Sequence, residues 1–190
     1  MTPETVTLFL AMLAVVAAGL TVAIVISWAL GDRFGLLAQL RPVALELAAA
    51  VAVTATVGSL YLSEGAGYEP CRLCWVQRAF MYPAAVLLVA ALVTRSRWPA
   101  MIAAVLAAFG FPVSVFHRID QAAGGIGSFC ELDNPCSSRW VEHFGFVTIP
   151  TMAAAGFAAV VALVAIWLEP GAEPDLIEQG MAARPRTHRS

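Results

Sequence analysis

The sequence predicts an all-α protein that crosses a membrane five times, and three observations carry that prediction. Of its 190 residues 60% are apolar, with a mean hydropathy of +0.79, more apolar surface than a water-soluble domain of this size can bury. Charge is crowded into short gaps between uncharged runs of about 20 residues, the length at which a helix crosses the hydrocarbon core. The runs are rich in Ala, Leu and Val without the alternation of a barrel strand, and lipid offers open backbone no hydrogen bonds, so they are expected to be helices. A net charge of −2, with no basic cluster outside the tail, gives nucleic-acid binding no support.

The first span runs from about Thr5 to Leu30. Glu4 precedes it with no basic residue, and the run exceeds a signal-peptide core, so a retained helix is expected. The second span, about Val43 to Leu62, carries Glu46 close to one end, read as an interfacial carboxylate. The third, about Val76 to Val93, follows directly on Cys71-Arg72-Leu73-Cys74. The fourth covers about Trp98 to Phe116 and is closed by His117 and Arg118. A loop with Gly124, Gly125 and Gly127 leads to Cys130 and Cys136, and its glycines imply mobility. From Ser137 to Phe144 a short amphipathic helix is expected on the membrane surface, with Trp140, Val141 and Phe144 apolar and Arg139, Glu142 and His143 polar. The fifth span runs from about Val147 to Leu168. Beyond it a tail rich in Pro, Gly, Glu and Arg is expected to be disordered and cytoplasmic.

Arginine sets the orientation. Arg33, Arg41, Arg95, Arg97, Arg184, Arg186 and Arg189 lie in three segments that alternate with the others, so seven of the eleven arginines fall on one side. Five spans with the N-terminus out and the C-terminus in satisfy the rule. Both cysteine pairs then face the oxidising, extracytoplasmic side, although the cysteines played no part in the assignment.

Cys71 and Cys74 form a C-x-x-C at the start of a helix, where unpaired N–H groups and a partial positive charge favour a thiolate. The competing readings are a structural disulfide or part of a zinc site. Zinc would need all four cysteines to converge in an oxidising compartment, and the spacing of Cys130 and Cys136 is too long for a zinc knuckle, so no metal is expected. Gln77 and Arg78 follow Cys74 at i+3 and i+4 and share its helix face. A mid-span charge costs roughly 2.5–3.5 kcal/mol. Arg78 either snorkels to the interface or stands beside a bound quinone, where it stabilises negative charge on the reduced ring and on Cys74. His117 is either an interfacial residue or a second hydrogen-bonding group for that quinone.

These segments resemble the bacterial disulfide-bond formation protein B family, DsbB, and its short-loop branch BdbC. The carrying residues are Cys71-Arg72-Leu73-Cys74-Trp75-Val76-Gln77-Arg78 with Met81-Tyr82-Pro83, then Cys136, Trp140-Val141 and Phe144-Gly145-Phe146-Val147-Thr148-Ile149-Pro150. The resemblance implies a four-helix bundle in the bacterial cell membrane with two periplasm-facing cysteine pairs. It implies that Cys71 and Cys74 exchange with a quinone, ubiquinone or menaquinone, with Cys74 nearer the ring and Arg78 beside it. It further implies that Cys130 and Cys136 oxidise a soluble thioredoxin-like, DsbA-like partner, Cys130 matching the family's partner-attacked cysteine by order alone, and that internal exchange passes the electrons from the second pair to the first. The expected organisation is then an extra N-terminal helix and loop over residues 1–40, a DsbB-like domain over 41–168, and the tail over 169–190. The extra helix departs from the family's four, and the short Cys130–Cys136 spacing departs from its long-loop members.

A vitamin K epoxide reductase-like protein is the nearest rival, but its loop pair precedes the C-x-x-C, and here the order is reversed. A thioredoxin fold requires strands between the helices, and none fit. The alternative from a different class is a non-catalytic multi-pass membrane protein with two structural disulfides.

Overall fold

The computed structural model describes residues 2–33, 35–124 and 135–169. Among them, five helices are long and apolar enough to cross a membrane: α1 (Pro3–Ala29), α2 (Leu36–Gly65), α3 (Arg72–Thr94), α4 (Arg97–Ala122) and α5 (Ile149–Leu168). The expected all-α, five-helix architecture is therefore observed. Local chemistry marks the helix ends. Thr2 caps α1 through its hydroxyl, with Pro3 in the first turn where its missing N–H costs nothing. Helix α2 tightens to 3-10 geometry over Arg41–Val43 at Pro42 and ends in a π turn over Tyr61–Gly65.

Helices in lipid gain little from excluding water and associate by close packing of small residues. Ala44, Ala48 and Ala52 of α2, Ala84 and Ala91 of α3, and Ala100, Ala103 and Ala107 of α4 are fully buried. Their spacings of three, four or seven keep each set on one helix face. Helix α5 occupies the centre, against α1, α2 and α4. Its Phe157 ring lies on the backbone of α4 at Gly110, where an added methyl would stand 2.4 Å from the ring. Val16, Val86, Val93 and Trp98 point outward and are exposed by about two-thirds or more, as expected where lipid covers the surface.

Helix α1 lies along α5 in the same direction. At one end Thr7 Oγ1 donates to the Glu4 carbonyl and accepts from His143 Nε2 at 3.0 Å. At the other, Trp28 Nε1 donates to Glu169 at 2.7 Å, and the same carboxylate pairs with Arg41. The start of α3, the end of α4 and the start of α5 therefore share the end marked by Thr7.

The structure corrects one expectation. Residues Ser137–Phe144 do not form a helix. Glu142–His143 (β1) pairs with Val147–Thr148 (β2) as an antiparallel hairpin. Phe144 and Gly145 both adopt positive φ, and Phe146 N donates to His143 O, which closes a type I′ turn. Helical boundaries also move, and α2 starts at Leu36 rather than about Val43. Helix α3 starts at Arg72 rather than Val76, and α4 continues past Phe116 to Ala122, so His117 and Arg118 lie inside it. The Gly125–Cys130 stretch of the loop and the tail from residue 170 fall outside the described residues.

Candidate functional site

Cys71 is the N-cap of α3. Its extended backbone points Sγ back at the first turn, where it accepts from Cys74 N at 3.4 Å. A sulfur thus takes the position usually held by a serine or aspartate oxygen, and the helix end favours it as a thiolate. Cys71 and Cys74 are free thiols with sulfurs 2.9 Å apart, close enough for oxidation to join them with little backbone movement. Cys136 is disulfide-bonded and buried, and Cys130 lies outside the described residues.

His117, carried by α4, stands between the two cysteine regions. Its Nε2 lies 3.7 Å from Cys71 Sγ and 3.2 Å from the Cys136 carbonyl oxygen, while Nδ1 lies 3.3 Å from Gln77 Nε2. The carbonyl can only accept, so Nε2 carries the proton and Nδ1 accepts from the Gln77 amide. Gln77 fixes that tautomer, and the Nε2–H is shared between the Cys71 sulfur and the Cys136 backbone. The Cys71 and Cys74 sulfurs and a His117 ring nitrogen lie within 4.8 Å of one another.

The electrostatic result is a lowered Cys71 pKa, from 9.0 to about 4. The largest cause is the Cys74 thiol, which donates to the Cys71 sulfur. The hydrogen bond and field of His117 and the Cys74 backbone N–H add to it, against burial, which favours the neutral thiol.

Two cavities flank these sulfurs. The larger, about 360 Å³, is partly open and bordered by α1, α2, α3 and α5, and its polar lining includes Thr54, Ser59, Glu69, Cys74, Gln77, Arg78 and Tyr82. The smaller, about 20 Å³, is bordered by Cys71, Cys74, His117, Gln121 and Cys136. It has room for about one water. Cys74 borders both. Tyr68 stacks on Trp140 with ring centroids 5.4 Å apart, and Trp140 also borders both.

Arg78 is held in place by α2. Its Nε donates to Ser59 Oγ at 3.0 Å and its Nη2 to Ser59 O at 2.9 Å, while its guanidinium lies 5.2 Å from the Trp75 ring centroid. Tyr82 donates to the same Ser59 hydroxyl at 3.3 Å. Two bonds account for part of a five-donor guanidinium, which leaves N–H capacity toward the larger cavity.

The residues singled out from sequence therefore fall into two groups. Cys74, Gln77 and Arg78 border the larger cavity, as their shared helix face required. His117 borders the smaller cleft and not the larger cavity, because the rotation of α4 turns it toward Cys71 and Cys136. Two further residues belong to the site: Ser59, one of several hydroxyls along α2 and so without a distinguishing signal in the sequence, and Gln121, whose Nε2 donates to Ser138 O at 3.1 Å.

Known proteins bear on this arrangement. The family described as "Disulfide bond formation protein DsbB" matches residues 41–168. The chain belongs to the DsbB family. Similar proteins include the "Probable disulfide formation protein C 1" of Bacillus anthracis, 40% identical over 109 residues, 56% of this chain and 78% of that protein. The "Disulfide bond formation protein C" of Bacillus subtilis (strain 168) is 36% identical over 116 residues, 58% of this chain and 82% of that protein. The "Probable disulfide formation protein C 2" of Bacillus anthracis is 30% identical over 128 residues, 67% of this chain and 91% of that protein. No solved structure gives a significant match. The DsbB-family match takes in α3, α4, α5 and most of α2, and leaves α1 outside it.

Proposed function

We propose that this DsbB-family chain is a membrane thiol–disulfide oxidoreductase that takes electrons from an extracytoplasmic thioredoxin-like, DsbA-like thiol oxidase and passes them to a quinone. The observation that carries the proposal is the position of Cys74, which borders an apolar cavity on one side and the cleft holding Cys136 on the other. A redox pair so placed connects an acceptor dissolved in lipid with a thiol donor in water.

The larger cavity suits a quinone. Apolar side chains line most of it, and Gln77 and Arg78 keep N–H donors for ring oxygens beside Cys74. A bound quinone supplies a two-electron, two-proton acceptor at that end. Arg78, fixed by Ser59, would hold positive charge where negative charge develops.

The other half of the proposal is thiol–disulfide exchange. The donor's two thiols reduce the Cys130–Cys136 disulfide. The two thiols so formed reduce the Cys71–Cys74 disulfide, and the Cys71–Cys74 dithiol then gives up two electrons and two protons. In each exchange a thiolate attacks and a thiolate leaves, and the Cys74 backbone N–H and His117 favour Cys71 in the thiolate form when the pair is opened. His117 is a positioning residue in this scheme: its Nε2–H stabilises the Cys71 thiolate and ties it to the Cys136 backbone.

The test is quinone reduction by the purified protein in detergent with a reduced DsbA-like donor, offering ubiquinone and menaquinone separately. Loss of one quinone per two donor thiols, abolished by Cys74→Ser and weakened by Arg78→Ala through KM, is expected. If no quinone is consumed and both cysteine pairs stay oxidised, the chain is a membrane protein with structural disulfides and the proposal fails.

A further inference from the structure

Helix α1 lies outside the family match, yet it forms one wall of the larger cavity. Leu10, Leu13, Ala14, Ala17 and Leu20 of α1 all border it. These side chains carry no hydrogen-bonding group, so their contacts are with the apolar part of an occupant. The wall starts at the redox end, where Leu10 packs so closely on Gly58 that a methyl added there would lie 2.9 Å from Leu10 Cδ1. Gly58 adjoins Ser59, the anchor of Arg78. Leu20 follows ten residues later, about 15 Å along the helix axis. Ala14 and Ala17 keep the wall thin over that stretch. The helix is held at both ends by side-chain bonds, Thr7 to His143 and Trp28 to Glu169.

We infer that α1 is the tail-binding wall of the quinone site: the ring lies against Cys74 and Arg78, and the prenyl chain runs along Leu10, Ala14, Ala17 and Leu20. This rests on the quinone reading above and adds to it that this chain's extra helix sets the preference for long-tailed over tail-less quinones.

The experiment uses the full-length protein in nanodiscs. Binding of a long-tailed quinone and of a tail-less ring analogue is measured by quenching of tryptophan fluorescence in Ala14→Trp and Val15→Trp. Both variants add the same indole, and Val15 faces outward, off the cavity. Ala14→Trp is expected to weaken the long-tailed quinone at least about tenfold, the scale on which a pocket discriminates one or two carbon groups. The tail-less analogue should keep its Kd in both variants, and Val15→Trp should leave both ligands unchanged. A second measurement needs no substitution: a quinone with a photoreactive group on its tail should label the wild-type protein within residues 10–20. Equal effects of the two tryptophans, or labelling confined to other helices, would overturn the role of α1 while leaving the quinone reading intact. Absence of binding and turnover with every quinone in the wild type would remove both. Weakening by Ala14→Trp that is the same for both ligands would mean a distorted ring site rather than a tail wall, and would also overturn the inference.

Discussion

Replacing His117 with alanine removes the N–H that faces the Cys71 sulfur and leaves the Cys74 thiol and backbone donors in place. A hydrogen bond to a charged group contributes about 1.5–3 kcal/mol. Losing that bond raises the Cys71 pKa from its lowered value toward the ordinary thiol range. The sign follows from the thiolate being the favoured form. In either protein the thiolate is present above the pKa and is lost as pH falls through it, so the variant loses it at higher pH. The same energy bears on redox poise, because stabilising the reduced form makes a disulfide more oxidising. Removing the bond should make the Cys71–Cys74 pair roughly 30–65 mV more reducing. Cys71 is buried, so the assay is the ultraviolet absorbance of the thiolate in the reduced, solubilised protein, taken as the difference from Cys71→Ala. His117→Gln, which keeps an N–H donor, should recover part of the shift. An unchanged midpoint in His117→Ala would refute the assignment of His117, and a wild-type midpoint near 9 would refute the whole electrostatic account of this pair.

Other perturbations follow from the packing. Ser59→Ala removes the acceptor for Arg78 Nε and leaves the carbonyl bond, so KM for quinone should rise about three- to thirtyfold while exchange with the thiol donor is unchanged; stopped-flow traces of the two half-reactions separate these. Gly110→Ala drives a methyl into the Phe157 ring and should destabilise the fold by about 1–3 kcal/mol, read as a lower thermal midpoint in detergent. Arg41→Gln breaks a partly exposed ion pair with Glu169 and should cost under about 1 kcal/mol in the same melt.

The helical class was legible because span length and hydropathy depend on the bilayer, not on tertiary detail. The placement of Cys74, Gln77 and Arg78 along one cavity was legible for a similar reason, since i, i+3 and i+4 share a face in any helix. His117 was legible as a site candidate but not in its direction, because the rotation of α4 about its axis is set by packing such as Phe157 on Gly110. Ser59 and the α1 wall gave almost no signal: one is a hydroxyl among Thr54, Thr56, Tyr61 and Ser63, and the other is a row of Leu and Ala indistinguishable from any lipid-facing row. The hairpin over Glu142–Thr148 was misread because Trp140, Val141 and Phe144 fit a helical period. Its turn uses Phe144 and Gly145 instead of the Asn-Gly pair that usually announces a type I′ turn, so a bulky residue sits at a positive φ of 55°.

In the proposed relay the Cys71–Cys74 dithiol delivers its electrons to a quinone bound against Cys74. The most direct measurement mixes fully reduced protein with quinone under anaerobic conditions, without any thiol donor, and follows quinone absorbance together with the redox state of each cysteine by mass spectrometry. One quinone should be lost for each Cys71–Cys74 disulfide formed, and Cys74→Ser should remove the reaction. Quinone that stays oxidised while Cys71 and Cys74 remain thiols would contradict it.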